Sequence, residues 1–231
     1  MALRTKLLLT TLAISLLSAC ASDATTTTTT TMTTTTMTTT TVTATMTPTT
    51  TPVTAPSSTT TATDPATVLF DFSDPSSATG WFNQNDTVMG GVSDSASAWV
   101  DGHLVFSGNL SLDNNGGFTS TFGPINEQLP ALMSGANAIV VTARGDSQTY
   151  LMQIRSNDNT RYIQRFTTVA DIEQSYILPI TDFVSVDWRL SPIAGAAPMN
   201  VANIVQIGFY LLDKQVGPFE IAISSISADS L

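Results

Sequence analysis

The stretch Tyr150–Thr167, YLMQIRSNDNTRYIQRFT, decides how the rest of this chain is read. Two runs rich in aromatic and branched residues flank Ser156-Asn157-Asp158-Asn159, a cluster of turn formers. That is the pattern of an antiparallel hairpin. Side chains alternate across a strand, so Tyr150, Met152 and Ile154 share one face while Leu151, Gln153 and Arg155 take the other. On the second strand Arg161, Ile163 and Arg165 lie opposite Tyr162, Gln164 and Phe166. The alternation predicts three guanidinium groups on one side of a sheet. Guanidinium forks bind carboxylates and polar edges. Gln153, Arg155, Arg161 and Arg165 are therefore a candidate ligand or partner face. The alternative is that the arginines pair with Asp146, Asp158 or Asp171 on a solvated sheet.

Outward from this hairpin the same signature repeats. Further candidate strands are Val68–Phe72, Ala98–Val100, His103–Ser107, Phe118–Phe122, Ala138–Thr142, Ser175–Leu178, Ile204–Leu212 and Phe219–Ser225. Turn chemistry separates them, as at Asp101-Gly102 and Asn114-Asn115-Gly116-Gly117. No segment sustains helical periodicity for three turns, and Asn126–Met133 has room for one or two. Short strands at close spacing predict an all-β fold, an antiparallel sandwich of jelly-roll type over residues 67–231. A domain of that size buries roughly 70% of its chain surface.

The 231 residues include 8 Lys+Arg, 18 Asp+Glu, one His and one Cys, for a formal charge of −10. An acidic chain is repelled by phosphate, which argues against a nucleic-acid partner. A single Cys excludes an intramolecular disulfide framework and a Cys-rich zinc site. Residues 1–19 read as an export leader: Arg4 and Lys6 precede the apolar run Leu7–Leu17, which is too short to span a bilayer. It ends in Leu17-Ser18-Ala19-Cys20, which resembles a bacterial lipobox. Cys20 is the expected lipidation site, and its acyl chains would hold the protein on a membrane. Ala21 and Ser22 follow Cys20 in place of an inner-membrane retention Asp, so the expected location is the cell envelope at the outer membrane. Removing the leader leaves six basic side chains and a mature charge of −12. Residues 20–66 form a Thr- and Pro-rich segment without helical or strand period, expected to be a disordered tether. Fully extended it would reach at most ~150 Å, at ~3.3 Å per residue.

The rest of the chain carries few chemical signatures. His103 has no second His, Cys or close carboxylate motif in sequence to complete a triad or metal site. There is no phosphate-binding glycine loop. Arg144-Gly145-Asp146 reads as a turn rather than an adhesion motif. No catalytic residue, metal ligand or cofactor is assigned. Loop Asp and carbonyl oxygens leave room for a structural calcium, but no Asp spacing resembles an EF-hand.

Four stretches taken together resemble one family. They are Trp81 with Asn85-Asp86-Thr87-Val88-Met89-Gly90-Gly91-Val92-Ser93; Phe106–Leu112 leading into Asn114-Asn115-Gly116-Gly117-Phe118-Thr119-Ser120; Arg144-Gly145-Asp146 before Tyr150; and Ile207-Gly208 with Asp213-Lys214-Gln215-Val216-Gly217-Pro218-Phe219. In this order they resemble the complex I intermediate-associated protein 30 family, an assembly-factor domain of NADH:ubiquinone oxidoreductase. The resemblance implies a galactose-binding-like jelly roll and a chaperone-like role without a catalytic centre. It points to Asn85, Asp86, Met89, Gly90, Gly91, Asn114, Asn115, Gly116, Gly117, Asp213, Lys214 and Gln215 as the family-motif loops. The glycines would allow positive φ or close backbone approach, and the Asn and Asp side chains would bond loop backbone. Two departures stand out. Thr121-Phe122 occupy the place where the family commonly has a basic residue, and Ser147 replaces the glycine usual after Gly145-Asp146.

The leading expectation is a non-catalytic, membrane-tethered module that binds a protein partner. Its alternative is a carbohydrate-binding jelly roll of the cell envelope, using the Gln153, Arg155, Arg161 and Arg165 face with Trp81, Trp99 or Trp188 as stacking platforms.

Overall fold

The computed structural model describes residues 66–231. The expected leader at 1–19, Cys20 and residues 21–65 of the expected tether lie outside the described residues. The strands are β1 (Thr67–Asp71), β2 (Phe82–Asn85), β3 (Asp94–Val100), β4 (His103–Leu110), β5 (Thr119–Phe122), β6 (Ala138–Arg144), β7 (Thr149–Ser156), β8 (Arg161–Thr167), β9 (Glu173–Pro179), β10 (Val184–Val186), β11 (Ile204–Leu211) and β12 (Gly217–Asp229). One turn of α-helix, α1 (Leu129–Leu132), falls inside the stretch expected to allow it.

The strands form two antiparallel sheets. Sheet A runs β3-β4-β12-β6-β9. The long β12 carries β4 on its first half and β1 on its second. Sheet B runs β10-β8-β7-β11-β5-β2. The expected sandwich is what the chain builds, with one apolar face of each sheet turned inward. From sheet A come Leu104, Phe106, Ile139, Val141, Ile221 and Ile223; from sheet B come Tyr150, Met152, Ile154, Ile207 and Phe209, all fully buried. Burial at about 25 cal/mol per Å² of apolar surface makes this layer the main source of stability. Trp81 closes one end, edge-on to Phe70 and Phe72 and stacked 6.3 Å from Phe209.

The Tyr150–Thr167 hairpin takes the expected register. Leu151 faces Arg165, Gln153 faces Ile163, and Arg155 faces Arg161. Tyr150, Met152 and Ile154 point into the core, so Leu151, Gln153 and Arg155 lie on the outer face of sheet B. Leu151, Ile163 and Val186 form a small cluster there, packed against Leu190, Tyr210 and Leu212.

Strands β2 and β10 and the first half of β3 have no counterpart among the expected strands. Strand β2 reads FNQN and the start of β3 reads DSAS, so apolar periodicity is absent. Polar groups do the joining instead. Asn83 Nδ2 donates to Ser95 Oγ at 3.1 Å and Ser97 Oγ at 3.2 Å. Ser97 Oγ donates to Thr121 Oγ1 at 2.8 Å, and Ser95 Oγ to Asn85 Oδ1 at 2.6 Å. A hydrogen-bonded seam thus links the edges of the two sheets where a hydrophobic contact would be usual. At Ser147, where the family resemblance led to the expectation of a glycine, the backbone is left-handed with φ 71°.

Candidate functional site

The family-motif loops meet at one end of sheet B, and Asp86 ties the first two of them together. Asp86 is 1% exposed. Its carboxylate accepts from Ser93 Oγ at 2.5 Å, Gly117 N at 2.7 Å, Ser93 N at 3.0 Å and Phe118 N at 3.3 Å. Burial alone would push this carboxyl up, but the four donors together hold it below the usual carboxylate value. Two motif glycines are explained by the same group. A Cβ on Gly91 would lie 2.4 Å from Asp86 Cγ, and one on Gly116 would lie 2.6 Å from Asp86 Oδ2. Asn114 and Asn115 take left-handed φ of 54° and 62°, as do Asp213 and Lys214 at 61° and 62°. Paired left-handed residues make the tight turns that face each other here. Gln215 pins the second turn: its Oε1 accepts from Thr149 N, and its Nε2 donates to Thr149 O and Leu212 O. Asn85 serves the inter-sheet seam and Gly90 ends a short 3-10 turn at φ 91°.

Between these loops and the segment at Trp188 runs a groove of about 710 Å³. Phe118, Tyr210 and Leu212 lie along it, Gln84 and Asn115 contribute polar edges, and Met89, Trp188, Arg189 and Lys214 stand at the rim. Trp188 is 67% exposed, with the Arg189 guanidinium 4.4 Å from its ring centre. Four of the nine non-glycine residues with positive φ among the described residues line the groove: Asn115, Leu190, Asp213 and Lys214. Strained backbone of this kind gathers where surrounding structure holds a site in shape.

The four residues read from the hairpin are placed as follows. Gln153 is 3% exposed, and its Oε1 has no hydrogen-bond partner. Arg155 is partly buried, and its Nε likewise lacks a partner. Arg161 is half-buried on β8, directly opposite Arg155. Burial pushes the Tyr210 phenol up, and the Arg161 charge and a hydrogen bond with Ser120 oppose that rise. Arg165 turns away to grip Asp213 through Nε at 2.6 Å and Nη2 at 3.1 Å. Its partner is therefore none of the three acids considered from sequence. Of the tryptophans, Trp81 is held against the core, Trp99 is 40% exposed and donates to Phe72 O, and Trp188 borders the groove.

Sequence reasoning had not placed Tyr210, Phe122 and Phe82 together. Register aligns Gln153, Gly208, Phe122 and Phe82 across sheet B. The Phe122 ring lies 5.4 Å from Tyr210 and 5.6 Å from Phe82. Gly208 makes room for it, since a Cβ there would meet Phe122 Cδ1 at 2.3 Å. Away from this face, His103 begins β4 with Nε2 3.5 Å from Glu173. Asp146 accepts from Tyr150 Oη and Glu220 N, as a structural turn residue does. Among the described residues, no three His, Cys, Asp or Glu side chains are grouped so as to hold a metal ion.

Two antiparallel sheets packed face to face, with a groove on one outer face, define a jelly-roll β-sandwich. Solved structures share this fold. The family 11 carbohydrate-binding module of a cellulosomal cellulase of Clostridium thermocellum matches with TM-score 0.53 and 13% identity, over 71% of this chain and 95% of that one. The same kind of module in complex with a β-1,3-1,4-mixed-linked tetrasaccharide matches with TM-score 0.52 and 15% identity, over 71% and 94%. An agarase matches with TM-score 0.51 and 14% identity, over 72% of this chain and 24% of that one. No curated protein matches. Residues 70–223 match the family Complex I intermediate-associated protein 30 (CIA30), and the chain belongs to it.

Proposed function

We propose that this protein is a non-catalytic binding module whose groove over sheet B takes an oligosaccharide strand. The observation that carries the reading is the groove itself, where Phe118, Tyr210 and the exposed Trp188 stand among the polar side chains Gln84 and Asn115. Sugars offer hydroxyls to polar atoms and C–H faces to rings, and sites for small ligands combine an apolar lining with a few fixed polar groups. Shared architecture with modules found on carbohydrate-active enzymes supports this reading. Carried on its Thr-rich segment from acyl chains on Cys20, the module would work at the surface of the envelope membrane.

The test is a glycan array probed with the protein, followed by titration of the best ligand. Trp188→Ala, at an exposed position that does not support the core, should weaken binding about tenfold, as for an aromatic contact of about 1 kcal/mol. Array signals absent for every glycan class would overturn the reading.

A protein partner is the second reading, and family membership supports it. The observation favouring it is the exposure of Val88 at 66% and Met89 at 67%, beside Leu112 and Trp188. Exposed apolar side chains grouped around a groove suit protein contact. A photo-crosslinker at Met89 should then capture one membrane or envelope protein reproducibly, and Met89→Asp should abolish that capture.

A further inference from the structure

We infer that the strand this face accepts is polyanionic, a uronate-bearing glycan with one carboxylate seated between Arg155 and Arg161. This rests on the oligosaccharide reading and names its substrate class.

The first ground is charge distribution. The described residues contain six basic side chains, Arg144, Arg155, Arg161, Arg165, Arg189 and Lys214, in a chain of net charge −10. All but Arg144 lie on the outer face of sheet B or in the loops bordering its groove. Five of the six cations among the described residues thus lie on one side of the sandwich. Arg165 neutralises Asp213, the one acid among the described residues that lines the groove, and so removes it from competition.

The second ground is pairing. Arg155 and Arg161 are direct cross-strand neighbours, and like charges so placed repel. Among the described residues no carboxylate lies within ion-pair distance of either. The flanking acids are engaged elsewhere. Asp158 accepts from Ser156 Oγ and Thr160 N, and Asp187 accepts from Arg189 N and Ser191 N. A bound carboxylate would relieve the repulsion and satisfy the guanidinium donors in fork geometry.

The third ground is the reading it rests on. An oligosaccharide that answers two unpaired arginines must carry its own anion, and the carboxylate of a uronic acid fits a guanidinium fork.

The test uses the full chain and calorimetric titration with oligogalacturonate and alginate oligosaccharides. Parallel arms use methyl-esterified oligogalacturonate, a neutral mixed-linkage glucan and polyglutamate. At least one uronate should bind, and esterifying the galacturonate should weaken its affinity tenfold or more. Arg155→Gln and Arg161→Gln should each cost a similar factor. Arg161→Lys should retain part of the affinity, and Arg144→Gln, on sheet A, should change nothing. Circular dichroism of each variant checks the fold. Equal binding of the ester and the acid, or of the neutral glucan and the uronates, would overturn the carboxylate inference while leaving the oligosaccharide reading standing. Polyglutamate binding as tightly as uronate would make the ligand an acidic peptide. No binding by any glycan would remove both readings together.

Discussion

At the scale of single residues, Asp86 does the most. A buried carboxylate is costly unless hydrogen bonds replace its water, and four donors from two motif loops supply that replacement. Asp86→Asn keeps the shape but removes the charge and sets an NH2 against N–H donors. It should destabilise the fold by about 2–3 kcal/mol in urea unfolding at pH 7. The pH dependence follows from the sign of the shift. The folded-state pKa is below the unfolded one, so the contribution is complete above the unfolded value and is lost as pH falls through the folded value. Below about pH 4 the wild-type protein should lose stability more steeply than Asp86→Asn. Ser147 is the opposite case, an L-residue held at φ 71° where no Cβ is welcome. Ser147→Gly should raise stability by about 0.5 kcal/mol, relief of left-handed strain outweighing the entropy glycine brings to the unfolded chain. A fall in melting temperature would show that the Ser147 side chain contributes more than its backbone costs.

At the scale of elements, the sandwich is joined in two different ways. The central strands meet through apolar side chains, and the edges β2 and β3 meet through Asn83, Asn85, Ser95, Ser97 and Thr121. Such a network is directional, so it sets the position of the edge strands and, through Asn85, the start of the Asp86 loop. A double-mutant cycle of Asn83→Ala and Ser97→Ala should give a coupling energy of about 0.5–1 kcal/mol. Strictly additive changes would mean that the seam merely accompanies the packing. The reason β2 escaped sequence reading lies here too. Alternation of apolar and polar residues reports a strand only when its inner face is apolar, and the inner face of this edge is polar.

At the scale of the whole molecule, the separation of charge decides how a ligand arrives. Net charge alone would repel an anionic strand, and added salt would then improve binding. The basic surface of sheet B predicts the reverse, because the charges within a Debye length, about 10 Å at 0.1 M, dominate at contact. Raising NaCl from 20 mM to 500 mM should therefore weaken uronate binding several-fold. Tighter binding at high salt would mean that the global field prevails.

The all-β class, the hairpin register and the arginine face were legible in the chain because strand alternation and turn chemistry are local properties. Side-chain period fixes which residues share a face before any tertiary contact forms. The motif loops were legible as a group only through family resemblance. Their convergence on one groove was not, since Asp86 and Gly117 are 31 residues apart and meet only in the folded sandwich. Nor could spacing reveal that Arg165 belongs to Asp213, 48 residues away, leaving Arg155 and Arg161 as the unpaired couple. Local patterning determined which residues face outward; tertiary packing determined which of them find partners, because partnership depends on distances that only the two closed sheets set.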